Sequence, residues 1–179
     1  MVLIVHADGR NDPQGACTWA FLVLTRDGAR VHDAHGNVDC REGEGTSLLA
    51  EWTATVRALR WLRAERPQGP VLLRVDAALV AKALVYRDIT VKGPEGLLAE
   101  EARKHMLVLR GWGIAVRVER VPRWRNLEAD DLAFAAAGGE PAPLPNAGAE
   151  EAGVPPPSWR EYPHRDRKGR IRKTGDSGP

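Results

Sequence analysis

The run Val2-Leu3-Ile4-Val5-His6-Ala7-Asp8-Gly9 constrains this chain more than any other stretch. Four consecutive aliphatics, three of them β-branched, predict a strand buried on both faces and therefore central in its sheet. Asp8 stands at the exit of that strand. A lone carboxylate there is costly to desolvate unless a cation meets it, and the strand carries no Lys or Arg. A metal ion is one candidate for the missing partner. Taken alone, Asp8 also fits a turn aspartate opening the loop Gly9-Arg10-Asn11-Asp12-Pro13-Gln14-Gly15.

A length of 179 residues allows one domain with an appendage and a real core. No apolar run approaches the roughly 18 residues of a membrane span, so no membrane association is expected. The N-terminus lacks the basic start and cleavage site of a secretory signal. Cys17 and Cys40 have neither C-x-x-C spacing nor a nearby His pair arranged for zinc. Together these features predict reduced thiols in a cytoplasmic protein. A net charge of +2 is too small to argue for nucleic acid by itself.

Along the chain, Ala16 to Leu24 reads as a second strand, and Asp27-Gly28 marks a hairpin into a third, roughly Arg30 to Val38. His32 and His35 on that half-exposed strand are read as surface groups. Thr46 or Ser47 offers an N-cap. From there Leu48, Leu49, Trp52, Val56, Leu59 and Leu62 recur at helical spacing to Glu65, predicting a long amphipathic helix on the sheet. Glu51 lies early in it, where the helix dipole alone also favours an acid. Pro67-Gln68-Gly69-Pro70 stops the helix, and Val71 to Asp76 repeats the opening pattern of an apolar strand ending in Asp. Strand, helix, strand implies a right-handed parallel crossover. Ligands gather at the carboxyl ends of such strands, which places Asp76 beside Asp8. A short helix (Ala77 to Val85), a loop, a helix (Glu95 to Arg110), a strand (Ile114 to Val121) and a last helix (Leu127 to about Ala137) complete the order βββ-α-β-α-α-β-α. The last helix carries Asp130 and Asp131, and Gly138-Gly139 closes the domain, 1–139.

This order, with Asp8-Gly9, Thr46-Ser47-Leu48-Leu49-Ala50-Glu51, Val75-Asp76-Ala77-Ala78-Leu79-Val80 and Asn126-Leu127-Glu128-Ala129-Asp130-Asp131-Leu132-Ala133, resembles the type 1 ribonuclease H family over roughly Val2 to Gly139. The resemblance implies an α/β ribonuclease H-like fold, a five-stranded mixed sheet flanked by helices. It makes Asp8, Glu51, Asp76 and Asp130 the catalytic, metal-binding carboxylates, with Asp131 a dipole-complementing acid. It implies an endonuclease that hydrolyses the RNA strand of RNA–DNA hybrids with two divalent ions. A cluster of carboxylates with no cysteine suits Mg²⁺ or Mn²⁺ better than Zn²⁺. Substrate contacts then fall to Gly9, Arg10, Arg123 and Asn126. The central expectation is that all four acids converge on one pocket; an arginine tying up any of them would sink the nuclease reading.

The chain also departs from the family's pattern. Many members carry a His between the last strand and last helix; here Val121-Pro122-Arg123-Trp124-Arg125 has none. It resembles the shorter Pro-Arg loop of the archaeal-like and plant-like branch, with Arg123 the substitute cation. His6 alternates away from the side shared by Val5 and Ala7 and is given no role. Leu48 stands where the family commonly has a backbone-contacting Asn, and Ala77 where it often has Ser or Thr. The basic handle between the middle helices is missing, since Tyr86 to Gly96 carries only Arg87 and Lys92. These changes keep open a related nuclease acting on double-stranded RNA or structured DNA, and a non-catalytic nucleic-acid-binding module. Nothing in the sequence signals the oligomeric state.

Residues 140–157 are rich in Pro, Ala and Gly and read as a semi-stiff linker. Residues 158–179 hold seven Lys/Arg against three acids, with Trp159 and Tyr162 interleaved. Of the chain's 26 basic and 24 acidic groups, 19 of each lie in residues 1–140, so the net positive charge sits at the end. Arg165 to Lys173, with Arg167, Lys168, Arg170, Arg172 and Lys173, reads either as a phosphate-contacting patch or as a solubilising tail.

Overall fold

The computed structural model describes residues 1–12, 16–40 and 44–139. The linker and the basic tail, with Arg167, Lys168, Arg170, Arg172 and Lys173, lie outside the described residues. The element order is β1 (Leu3–Asn11), β2 (Cys17–Thr25), β3 (Arg30–Asn37), α1 (Ser47–Glu65), β4 (Val71–Val75), α2 (Ala78–Val85), α3 (Pro94–Gly111), β5 (Val116–Arg120), a 3₁₀ turn (Arg123–Arg125) and α4 (Leu127–Ala136). The strands form one sheet in the order β3-β2-β1-β4-β5. β1, β2 and β3 pair antiparallel, and β4 and β5 add in parallel beside β1. The five-stranded mixed sheet and the central place of β1 are as the apolar run predicts.

Two boundaries differ from the sequence reading. β1 does not end at Asp8 but continues to Asn11, because Gly9, Arg10 and Asn11 keep pairing with Trp19, Thr18 and Cys17. The segment before α4 is not plain loop: Arg125 N–H and Asn126 N–H close onto Pro122 and Arg123 carbonyls as one 3₁₀ turn.

Val5 and Ala7 face α1 together with Phe21, Val23, Leu73 and Val75, which their register brings alongside. Trp52, Leu59 and Leu62 of α1 are fully buried there. Truncating Trp52 to Ala removes about 3–5 kcal/mol, the usual cost of an emptied aromatic site. Thr46 caps α1 by accepting the Leu49 N–H at 2.9 Å, which fixes where the helix starts and so where Glu51 falls. On the other face α4 covers β1 and β2, anchored by the Thr18 hydroxyl donating to the Ala133 carbonyl at 2.7 Å. No helix among the described residues is long and apolar enough to cross a membrane.

Candidate active site

Register places two acids side by side. In the parallel β1–β4 pair Ala7 stands beside Val75, and the next residue in each strand's path is an aspartate, Asp8 and Asp76. The third acid arrives on α1. Gly9 presses against that helix so closely that a Cβ built there would overlap Ala50 C and Glu51 N. Glycine is therefore required for the approach, and the Gly9 backbone hydrogen-bonds the Glu51 carboxyl. One oxygen each from Asp8, Glu51 and Asp76 lies within 4.8 Å of the others.

Asp8 and Glu51 are buried, at 1% and 8% exposure. Their Oδ2 and Oε2 atoms have no hydrogen-bond partner among the described residues. Burial, then the charges of Asp130 and Asp76, push the Asp8 carboxyl well above the usual carboxylate range. Burial, then Asp8 and Asp76, push Glu51 up to about 11. Orphaned buried oxygens among mutually repelling acids are costly, and a hard dication with oxygen ligands removes both penalties. The donor set is all oxygen, so it fits Mg²⁺ or Mn²⁺.

Asp130 differs. It lies in the first turn of α4, buried beside Asp8, but its Oδ1 accepts a 2.6 Å bond from Arg123 Nη2. The expectation of four free carboxylates is corrected here: three converge and the fourth holds an arginine. The physical reason is charge. Packing acids into one pocket leaves negative charge uncompensated, and Arg123 is the cation the fold brings within reach. Its side chain is 64% exposed and that of Asp130 9%, so the pair sits at the rim of the pocket with the arginine toward water. By the condition set from the sequence this pair counts against the nuclease reading, which is left to rest on Asp8, Glu51 and Asp76, whose carboxylates no arginine among the described residues holds.

Asn126, expected to contact substrate, is instead 1% exposed and spent inside the protein. Its Nδ2 donates to the Ala7 carbonyl at 2.9 Å and to Asp8 Oδ1 at 3.1 Å. Its Oδ1 lies 3.2 Å from His6 Nδ1. An amide oxygen only accepts, so His6 donates from Nδ1. Burial, with Arg74 beside it, lowers His6 to about 4, and the ring is neutral. The sequence reading missed His6 because it compared the residue with Val5 and Ala7; Asp8, two residues on, shares its face. Arg10 stacks over the Phe134 ring at 4.5 Å, on the same flank of α4. Arg120 is a second cation not anticipated, its Nε donating to the Asp76 carbonyl at 3.4 Å.

No protein-family model matches the chain, and a search of curated proteins finds no relative. Solved structures do match. The ribonuclease H1 of Halobacterium salinarum shares 24% identity and a TM-score of 0.62, over 77% of this chain and 98% of that one. The N-terminal ribonuclease H domain of a Mycobacterium tuberculosis protein, solved as a fusion with maltose-binding protein, shares 24% identity and a TM-score of 0.63, over 76% and 94%. This is the ribonuclease H fold. A third structure with this fold, LC11 ribonuclease H1 in complex with RNA/DNA hybrid, gives 22% identity and a TM-score of 0.58 over 75% and 94%. On the ribonuclease H fold of this chain, the three-acid cluster lies at the carboxyl ends of the central parallel pair.

Proposed function

We propose that this chain is a type 1 ribonuclease H: a divalent-metal-dependent endonuclease that hydrolyses the RNA strand of RNA–DNA hybrids. The observation that carries the reading is the convergence of Asp8, Glu51 and Asp76 with two buried oxygens that no donor among the described residues satisfies. The fold supports it, as do structural neighbours solved with RNA/DNA hybrid, LC11 ribonuclease H1 and a foamy viral protease-reverse transcriptase.

Asp8, Glu51 and Asp76, joined by Asp130 once Arg123 turns away, are the residues that would hold two Mg²⁺ or Mn²⁺ ions, which supply charge neutralisation on the attacking and leaving oxygens of an in-line displacement. The protein's own part is orientation. Asn126 holds the Asp8 carboxylate by its Oδ1, leaving Oδ2 free to coordinate. Gly9 keeps Glu51 in place by contact and by a backbone hydrogen bond. Arg123, the one solvent-facing cation among the described residues whose side chain is paired with these acids, turns from Asp130 to a non-bridging phosphate oxygen of the substrate. The basic tail, 158–179, adds sequence-independent grip; deleting it flattens the salt dependence of hybrid binding, and an unchanged salt slope would reject that role. Two free thiols fit a cytoplasmic setting.

A second reading keeps the chemistry and changes the substrate. Leu48, packed partly buried against the core, and Ala77 offer no polar group at positions where the family contacts substrate. That favours a looser demand for the RNA 2′-OH. Cleavage of labelled hybrid, RNA duplex and DNA duplex with Mg²⁺ or Mn²⁺ decides between them. The proposal expects hybrid to be cut in its RNA strand and DNA duplex to survive. Preferential cutting of RNA duplex or DNA selects the second reading, and no cutting of any substrate rejects both.

A further inference from the structure

Outside the acid cluster, the chain's two cysteines stand in an arrangement the proposed nuclease does not use. Cys17 opens β2, and Cys40 follows the end of β3. The β2–β3 ladder pairs Thr18 with Asn37, and one step further Val38 N–H donates to the Cys17 carbonyl at 2.8 Å. Cys40 N–H then donates to the Val38 carbonyl at 3.0 Å. This three-residue turn centred on Asp39 folds Cys40 back toward the strand it has just left. The two side chains meet there, thiol against thiol, and both are free.

Their surroundings differ. Cys17 is buried, its thiol reaching the Thr46 carbonyl at 3.7 Å, and a Cβ at Gly45 would stand 2.8 Å from Cys17 Cβ. Cys40 is only half-buried. One thiol is open to a reagent from solvent, and the other waits behind it in contact. Two thiols alone fall short of the four ligands of a structural zinc site, so covalent pairing is the chemistry the arrangement offers.

We propose that Cys17 and Cys40 form a redox-modification site, a dithiol that a low-molecular-weight disulfide closes into an intramolecular disulfide. The Cys40 thiolate attacks one sulfur of the reagent, breaking its S–S bond, releasing one thiolate and leaving a mixed disulfide on Cys40. Cys17, after giving up its proton to water, attacks the Cys40 sulfur and expels the second thiolate. In sum, the two protein thiols lose two electrons and two protons, and the reagent disulfide gains them as two thiols. Burial, with Cys40 beside it, pushes the Cys17 thiol up to about 11, so Cys40 reacts first and Cys17 resolves. The new bond ties the start of β2 to the segment leading into α1, replaces the Cys17 hydrogen bond to Thr46, and restricts the unfolded chain. None of this depends on the nuclease reading.

The test uses the full native chain with glutathione disulfide, followed by intact mass and thiol titration under denaturing conditions. The wild type is expected to become a monomer lighter by two hydrogen atoms, carrying no glutathione and no titratable thiol, with a higher Tm that dithiothreitol reverses. Closure is expected to be at least about tenfold faster in the native protein than in urea, since the fold holds the thiols together. Cys17→Ser should instead trap glutathione on Cys40. A stable glutathione adduct on the wild type, a disulfide-linked dimer, two thiols that persist, or closure no faster than in urea would each overturn the proposal.

Discussion

The two flanks of the candidate site solve the same electrostatic problem in opposite ways. On the strand side, Asp8, Glu51 and Asp76 converge with no guanidinium among the described residues bonded to any of their carboxylates, and two of their oxygens are buried without a donor among those residues. On the α4 side, Asp130 is matched by Arg123 at 2.6 Å, with the arginine facing solvent. The first flank is strained until a cation arrives. The second carries its own cation on the long side chain of an arginine seven residues earlier in sequence. The contrast teaches that a cluster of acids able to hold metal need not be uniformly bare: one exposed internal counter-ion lowers the repulsion while leaving the orphaned oxygens where the acids are most buried.

Asp8→Asn breaks the strained flank outright and should have the largest effect. Cleavage of hybrid falls by at least about a thousandfold, because charge stabilisation at the reacting phosphate goes with the ions. Gel-based cleavage kinetics under single-turnover conditions check it.

Glu51→Gln sharpens the same flank through stability. A carboxyl raised from 4.5 to about 11 in the folded protein contributes stability below pH 4.5 that is lost as pH rises toward 11. The metal-free protein should therefore weaken as the solution becomes alkaline. Glu51→Gln removes that slope and gains about 1–3 kcal/mol at alkaline pH, while cleavage is lost. Urea melts with a chelator present across pH give the answer; a variant as pH-sensitive as the wild type would contradict the assignment.

Arg123→Ala unsettles the other flank. With its partner gone, Asp130 is free to take a cation, so Mg²⁺ binds more tightly while cleavage slows, by about ten- to a hundredfold, through the lost phosphate contact. Isothermal titration alongside kinetics separates the two. Equal losses in both would mean Arg123 merely holds α4 in place.

His6→Phe tests the smallest effect. It removes the donor that orients Asn126 and so acts on Asp8 only at second hand. Metal affinity should fall by about tenfold, the usual cost of losing an outer partner, with a much smaller change in Tm.

Much of this molecule is legible in its sequence, and the reasons are local. The aliphatic run from Val2 to Val5 announces a central strand, and the repeat at Val71 to Asp76 announces its parallel neighbour. Together they bring Asp8 and Asp76 to one end of the sheet before any coordinate is seen. The spacing of Leu49, Trp52, Val56 and Leu59 likewise places Glu51 on a packed helix. What escapes is interaction between side chains that no periodicity encodes. The Asp130–Arg123 pair depends on a 3₁₀ turn at Arg123–Arg125 that aims the arginine back over α4. The roles of Asn126 and His6 depend on which partner each faces across more than a hundred residues of chain. Gly9 reads as the start of a loop, yet it is a strand residue whose missing side chain admits α1.

The central claim is that Asp8, Glu51 and Asp76 hold divalent cations, and thermal melting under increasing Mg²⁺ tests it most directly. Above neutral pH the wild type should gain Tm progressively with ion concentration, by mass action, and Asp8→Asn should gain none. A wild-type melting curve indifferent to millimolar Mg²⁺ and Mn²⁺ would contradict the account.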